Sequence, residues 1–329
     1  MKTGKLRENI YHRSVVKQLK TKNDTVLFDQ NHGLQYSIID SEQDDVFVLS
    51  QSSRTDYFPG YEDMAVYTAV NDVVTSGASM VGILIHLIIP EAVTEKNLKQ
   101  MIAQMEEVCA FLHTQIMGID TKVSVHVLKP IITVTGIGKN KKDQLILSTQ
   151  IKPGNDLILT KWIGIEGTFM IAEKFEKELL SRYSFSFIQT AKKYREQINL
   201  APEAATAGKS GVTAMYSVSE GGIFGALWEF AEAGGVGLEI DLKKIPVKQE
   251  TIELCEFYGL NPYELLSGGS MLIAADDGNG LVRELEKEGI SSAIIGKVVD
   301  GNDRIVYNGE DRRFLEPAKQ DEIYQLFES

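Results

Sequence analysis

The chain has 329 residues, of which 43% are hydrophobic and 24% charged, and this composition excludes a disordered or fibrous protein. Asp and Glu outnumber Lys and Arg by 46 to 34, and the net charge of −12 argues against binding to nucleic acid or to an anionic membrane. Two cysteines are too few for a disulfide framework, and the first residues contain no apolar signal segment, so we expect a cytoplasmic protein.

Hydrophobic spacing and turn residues predict the elements of the first half of the chain. The predicted helices span 6–20, 61–76 and 94–114, and the predicted strands span 26–28, 37–39, 46–50, 81–89, 123–128, 131–136 and 145–149. Thr94 is a good N-cap residue for the third helix. Gly136-Ile137-Gly138 ends a predicted strand, and a plain turn is the simplest interpretation of a lone Gly-x-Gly.

A turn cluster at 152–155, Lys-Pro-Gly-Asn, marks a domain boundary, so we expect domains at 1–152 and 153–329. Predicted strands of the second domain span 156–161, 212–216, 236–241, 270–275, 292–299 and 304–307. Predicted helices span 167–180, 184–198, 222–233, 248–258, 279–288 and 318–327. Strands and helices alternate in both halves, which indicates an α/β or α+β fold.

Two glycine-rich corners in the second half each follow a predicted strand and open a helix. One contains Gly164, Gly167 and Thr168, and the other contains Ser219, Glu220, Gly221 and Gly222. Free backbone N–H groups and the helix dipole at such a corner could hold an anion. The alternative is that both are glycine-bearing turns without a ligand.

Asp72 follows Asn71 inside an otherwise apolar predicted helix, where a carboxylate needs a partner. A basic group, a metal ion or a structural hydrogen bond would each serve. Residues 1–22 carry seven basic groups and one acidic group, a local excess of positive charge. They form either a solvated face or an arm in which Gly4 acts as a hinge and Lys5 reaches a ligand phosphate.

Six stretches of the chain, in order, resemble the PurM-like superfamily, which includes aminoimidazole ribonucleotide synthetase, HypE and thiamine-monophosphate kinase. The similarity is to the HypE-like, AIR synthase-related branch. The stretches are Gly4–Leu6, Ala69–Ala78, Thr160–Thr168, Ser219–Ile223, Leu266–Ile273 and Ile295–Val298.

The resemblance implies a two-domain fold whose N-terminal domains form a homodimer through a shared barrel. It also implies that ATP and magnesium bind and that an oxygen of a small substrate is phosphorylated. By position, the implied nucleotide- or phosphate-binding residues are Lys5, Gly164, Gly167, Thr168, Ser219, Glu220, Gly221 and Gly222, and Asp72 is the implied metal ligand.

Several acidic positions of the family carry other residues in this chain. The family's aspartates fall on Gln35 and on Gln51 or Ser52, its Gly-Gly-His-Thr-Glu falls on 118–122, and its His-Asp falls on 216–217. Asp72 remains, and Asp56 and Asp120 lie nearby in sequence. Neutral oxygens hold magnesium less strongly than carboxylates do, so these replacements predict weaker magnesium binding than in the family. Two functions therefore stay open: an ATP-using enzyme, or a non-catalytic relative that binds a nucleotide, a phosphate ligand or a protein partner.

Overall fold

The computed structural model describes residues 3–6, 8–28, 34–41, 43–55, 61–317 and 320–327. The chain divides into two units. The N-terminal unit consists of Asn23–Gln30 and Gln35–Leu145, and the C-terminal unit consists of Met1–Lys22, Asn31–Leu34 and Ile146–Ser329. The grouping of the first 22 residues with the second half was not expected from a boundary drawn in chain order.

Helices and strands alternate along much of the chain in both units. The helices are α1 Glu8–Ser14, α2 Met64–Val74, α3 Glu95–Phe111, α4 Ile165–Lys174, α5 Glu176–Leu179, α6 Phe185–Lys192, α7 Ala201–Lys209, α8 Gly222–Gly234, α9 Gln249–Tyr258, α10 Gly278–Lys287 and α11 Tyr324–Phe327. The strands are β1 Val26–Phe28, β2 Ser37–Asp40, β3 Asp45–Arg54, β4 Ser79–Ile89, β5 Gln115–Val123, β6 Ile131–Lys141, β7 Asp156–Thr160, β8 Ala214–Ser217, β9 Gly237–Asp241, β10 Met271–Ala275, β11 Ser292–Val299, β12 Arg304–Asn308 and β13 Asp311–Phe314.

The N-terminal unit contains a six-stranded sheet in the order β1-β2-β3-β6-β4-β5. Its neighbouring strands are antiparallel except for the parallel pair β4–β5. Alternate residues of β3 and β6 are buried, which gives the sheet an inner and an outer face. The buried helix α2 packs against β3 and β6, so the polar pair Asn71 and Asp72 is held inside the unit.

Two glycines of β6 allow α2 to approach the sheet. A Cβ atom at Gly136 would lie 2.9 Å from the carbonyl oxygen of Ala69, and one at Gly138 would meet a methyl group of Val73. The interpretation of Gly136-Ile137-Gly138 as a turn is therefore wrong. The glycines lie within a strand, where they make room for the helix that carries Asp72.

The C-terminal unit contains a seven-stranded sheet in the order β13-β12-β9-β11-β7-β10-β8, with β9 and β12 parallel and the other pairs antiparallel. Helix α8 packs on it and supplies Phe230 and Leu227 to a core that includes Leu159, Ile240 and Leu272. Antiparallel pairing brings the end of β7, the start of β10 and the end of β8 to the same edge of the sheet.

Four predicted elements differ from the structure. The helix predicted at 6–20 ends at Ser14 and is followed by a 3-10 turn over Val16–Gln18. The strand predicted at 123–128 lies at 115–123 as the edge strand β5, and 124–128 is a loop in which Leu128 is 94% exposed. The strand predicted at 145–149 is wrong, because this stretch contains a 3-10 turn over Ser148–Gln150. Of the helix predicted at 318–327, the described part is helical only over Tyr324–Phe327.

Candidate functional site

The structure brings both glycine corners to the edge of the C-terminal sheet where β7 and β8 end. The stretch that leads into β10 lies between them and joins them. Gly164 N–H donates to Ser267 Oγ at 2.7 Å, and Gly167 N–H donates to the Leu266 carbonyl oxygen at 2.8 Å. The Ser267 N–H donates to the carbonyl oxygen of Ser219 at 3.2 Å. The two corners are therefore parts of one hydrogen-bonded site.

The first corner is filled by neighbouring side chains. Gly164 has a φ of +71°, and a Cβ atom there would lie 2.6 Å from a methyl group of Thr251. A Cβ atom at Gly167 would lie 2.5 Å from Cγ of Leu265, and the hydroxyl groups of Thr168 and Thr251 lie 2.8 Å apart. Close packing thus accounts for both glycines without a ligand, which favours the simpler interpretation of this corner.

The second corner carries an acidic side chain of the protein itself. Gly221, with a φ of +87°, precedes α8, and its N–H donates to Oδ2 of Asp321 at 2.6 Å. The other oxygen of Asp321 accepts from the N–H groups of Leu266 at 3.1 Å and Ile323 at 2.9 Å. Burial raises the pKa of Asp321 to about 8, although these three N–H donors act in the opposite direction. An acidic group therefore lies where we expected a ligand anion.

The rest of this corner is fixed by backbone contacts. The N–H of Gly222 donates to the carbonyl oxygen of Ser219 at 3.2 Å. A Cβ atom at Gly222, whose φ is +62°, would lie 2.5 Å from the carbonyl oxygen of Tyr263. Glycine at this position is required both by the positive φ and by the close approach of the backbone.

Lys5 lies at the same corner and contacts two carboxylates. Its backbone N–H donates to Oε1 of Glu220 at 2.5 Å, and its ammonium group pairs with Oε1 of Glu229 at 2.5 Å. The other oxygen of Glu229 accepts from the hydroxyl of Tyr216 at 2.5 Å. The arm therefore reaches the predicted corner, but its charge is paired with a carboxylate of α8.

Asp72, in the N-terminal unit, accepts a hydrogen bond from Ser50 Oγ at 3.1 Å and is 8% exposed. Asp120 is instead exposed and pairs with His86 at 2.9 Å, while Asp56 lies outside the described residues. Within the described ranges, no three His, Cys, Asp or Glu side chains are grouped so that they could hold a metal ion. One carboxylate fits only a magnesium ion whose other ligands come from phosphate and water.

Sequence reasoning did not select three groups of the C-terminal site. Lys161 and Ser267 lie in stretches that resemble the family, so a signal for them was present in the sequence. Lys161 is buried and pairs with the buried Glu203 at 2.6 Å. Asp321 had no signal, because it lies 100 residues from Gly221 in a stretch predicted to be helical.

Sequence profiles for both halves of one family match this chain. The profile of the AIR synthase related protein, N-terminal domain, matches residues 60–139, and that of the C-terminal domain matches residues 152–308. The chain belongs to the AIR synthase-related family. The resemblance to the PurM-like superfamily is thereby confirmed.

Several curated proteins are similar to this AIR synthase-related chain. A Methanocaldococcus jannaschii protein, provisionally named a hydrogenase expression/formation protein, is 30% identical over 220 residues, which are 66% of this chain and 63% of the relative. The carbamoyl dehydratase HypE of Azotobacter vinelandii is 26% identical over 313 residues, 92% of this chain and 86% of the relative. The thiamine-monophosphate kinase of Bacillus subtilis is 28% identical over 249 residues, 74% and 73% of the two chains.

Solved structures of the family share the fold. A HypE–HypF complex contains a chain with a TM-score of 0.72 and 20% identity, with 94% of this chain and 98% of that chain covered. A HypE structure in complex with ATP has a TM-score of 0.68 and 18% identity, with coverages of 98% and 97%. A ThiL structure complexed with AMPPCP and TMP has a TM-score of 0.71 and 18% identity, with coverages of 95% and 98%. These likenesses confirm the two-domain α+β fold.

Membrane insertion through a helix finds no support in the described ranges, since none of their helices is long and apolar enough to cross a bilayer.

Proposed function

We propose that this protein is an ATP-using enzyme of the HypE-like branch, which transfers a phosphoryl group to an oxygen of a small substrate. The observation that carries the proposal is the match to both domains of the AIR synthase-related family. Solved relatives add support, because one HypE structure contains ATP and one ThiL structure contains AMPPCP. These relatives differ in activity, so the nucleotide is the feature that they share.

Phosphoryl transfer depends mainly on positioning and on the stabilisation of charge. In the N-terminal unit, Asp72 would hold a magnesium ion whose other ligands come from phosphate and water. In the C-terminal unit, the N–H group of Gly221 at the second corner and the ammonium group of Lys5 would contact phosphate oxygens. The contacts of Lys5 with Glu229 and of Gly221 with Asp321 would have to open for this.

Two measurements test the proposal. The first is calorimetry of ATP binding with and without magnesium. The second is ADP formation in the presence of a panel of small alcohols, acids and phosphate esters. We expect ATP at a concentration of about 100 times its Kd to stabilise the protein by about 2.7 kcal/mol. Inorganic phosphate alone should stabilise it less. The absence of any nucleotide effect on thermal unfolding would contradict an ATP-using enzyme.

A second function is binding without turnover, to a nucleotide, a phosphate ligand or a protein partner. It is favoured because Asp72, among the described residues, has no second and third metal-binding side chain grouped with it, and because the Asp321 side chain lies at the second corner. A HypE–HypF complex among the structural relatives adds a protein partner to the possibilities. ATP binding without ADP formation under all substrate conditions would favour this second function over the first.

The Asp72→Asn variant tests how much the metal contributes. Because Asp72 is the one aligned acid that remains, we expect ATP affinity in magnesium to fall by less than about tenfold, or about 1.4 kcal/mol. Ser50→Ala is the matched control, since it removes one hydrogen bond to Asp72 without changing charge. A thousandfold loss for Asp72→Asn would show that a complete metal site persists.

We also propose that the protein is a homodimer formed through the outer face of the N-terminal sheet. That face presents Phe47, Leu49 and Ile137, which are half-buried, and Leu84, which is 44% exposed. Apolar side chains on an outward sheet face favour a protein interface, and here they lie beside polar ones such as Gln51 and Thr135. Sedimentation at micromolar concentration should give about twice 36.5 kDa for the wild type and a monomer for Leu84→Lys. Leu128→Lys, at a 94% exposed loop position, should leave the dimer intact, and a wild-type monomer would contradict the proposal.

A further inference from the structure

Both terminal segments of the chain meet at the Gly221 corner. In the N-terminal segment, residues 3–6, a Cβ atom at Gly4 would meet Oε1 of Glu220 and the ring of Tyr324. The next residue, Lys5, contacts Glu220 through its N–H and Glu229 through its ammonium group. Gly4 therefore lies between a side chain of the corner and a side chain of the C-terminal segment, residues 320–327.

The C-terminal segment is anchored through the carboxyl group of Asp321, which accepts from two N–H groups outside the segment, those of Gly221 and Leu266. The N–H of Ile323, within the segment, donates to the same carboxyl group. Asp321 is 1% exposed. The adjacent Glu322 adds two contacts: its N–H donates to the carbonyl oxygen of Glu264 at 3.3 Å, and its carboxylate accepts from the N–H of Asn261 at 3.0 Å. The segment is thus bound both to the corner and to the stretch that joins the two corners.

The N–H groups that precede a helix attract an acidic or anionic group. In this chain the group that occupies the position comes from a segment 100 residues away, and it is buried. Asp277 is an exposed N-cap residue whose Oδ1 accepts from Gly280 N–H at 2.8 Å. Such a local contact stabilises its own helix and does not bind a segment distant in sequence. The Asp321 contact does more, because it also carries the segment that covers the corner.

We propose that residues 3–6 and 320–327 form an autoinhibitory latch, in which Asp321 occupies the backbone N–H of Gly221 and a phosphate-bearing ligand reaches that N–H only after Asp321 leaves. The choice of a phosphate-bearing ligand rests on the function proposed above. The apparent affinity for such a ligand equals its affinity for the open state multiplied by the fraction of molecules in which the latch is open. Ligand binding and release of residues 320–327 are therefore coupled.

The test compares inorganic pyrophosphate binding to the full-length wild type, Asp321→Ala and the control Asp277→Ala, by calorimetry. We expect Asp321→Ala to bind pyrophosphate at least about tenfold more tightly than the wild type, because the competing carboxyl group is gone. Asp277→Ala, which loses a carboxylate at another helix of the same unit, should bind as the wild type does. Equal affinity in all three proteins, or no binding by any of them, overturns the latch.

Hydrogen exchange of the wild type gives a second measurement, which decides the question if Asp321→Ala does not fold. Saturating pyrophosphate should slow exchange at 221–224 and speed exchange at 320–327. Unchanged or slower exchange at 320–327 overturns the proposal. The two proposals fail in different ways. If ATP binds and hydrogen exchange at 320–327 is unchanged, the latch alone is refuted. If Asp321→Ala binds pyrophosphate more tightly but the protein neither binds nor turns over ATP, the enzyme proposal alone is refuted.

Discussion

The Glu203→Ala variant is expected to lose about 3–5 kcal/mol of unfolding free energy, because it leaves a buried ammonium group without its counter-ion. Lys161 and Glu203 are 8% and 1% exposed and lie 2.6 Å apart. Three carbonyl oxygens, those of Gln197, Asn199 and Gly269, also lie 2.7, 2.9 and 3.1 Å from the ammonium nitrogen and share its three hydrogens with Glu203. These neutral acceptors cannot replace the charge of Glu203.

The pH dependence of Glu203→Ala provides an independent check. Burial lowers the pKa of Lys161, and Glu203 opposes that effect, so the variant should lower this pKa further. A folded-state pKa below the unfolded value means that the unfolded chain binds more protons, and stability then rises with pH. The stability deficit of the variant should therefore become smaller as the pH increases.

The exposed pair of Glu284 and Lys287 is a matched control for urea unfolding, because it has the same 2.6 Å separation while its side chains are 50% and 66% exposed. Glu284→Ala should cost no more than about 1 kcal/mol. If Glu203→Ala lowers the free energy of unfolding as little as Glu284→Ala does, burial does not increase the contribution of the Lys161–Glu203 pair to stability.

Elements with strong local signals could be predicted from the sequence. The helix predicted at 94–114 is found at Glu95–Phe111, and the Thr94 side chain accepts from the Asn97 N–H as an N-cap should. Strands with a weaker local signal were misplaced. The stretch at 115–123, which mixes apolar and polar residues without a clear alternation, forms an edge strand because β4 pairs with it. The alternating residues at 124–128 have no such partner in the sheet.

The position of the candidate site could be predicted from the sequence, but the side chains that fill its two corners could not. Glycine corners after strands are local features, and the resemblance placed them in the second domain. Which group fills a corner depends on contacts distant in sequence: Thr251 and Leu265 at Gly164 and Gly167, and Asp321 at Gly221. Likewise, only the packing of α2 shows that Asp72 lies beside Ser50.

Raising the pH from about 5.5 to about 7.5 is expected to destabilise the protein through Asp321. Burial raises the pKa of this carboxyl group from 3.8 to about 8, and the nearby Glu220 adds to the effect. In this range the folded chain retains a proton that the unfolded chain has released. The stability that Asp321 contributes is therefore complete below the unfolded pKa and is lost as the pH rises through the folded pKa, by about 1 kcal/mol per pH unit.

Asp321→Asn isolates this contribution, since an amide does not titrate in this range. At pH 5.5 the variant should be less stable than the wild type, because an amide NH₂ cannot accept the Gly221 N–H while the carbonyl oxygen still accepts those of Leu266 and Ile323. As the pH rises, the wild type should lose stability faster than the variant, so that the two urea-unfolding free energies converge. Other titrating groups are common to both proteins and cancel in the difference. Parallel pH profiles would show that Asp321 is already ionised in the folded chain, held as a carboxylate by its three backbone donors.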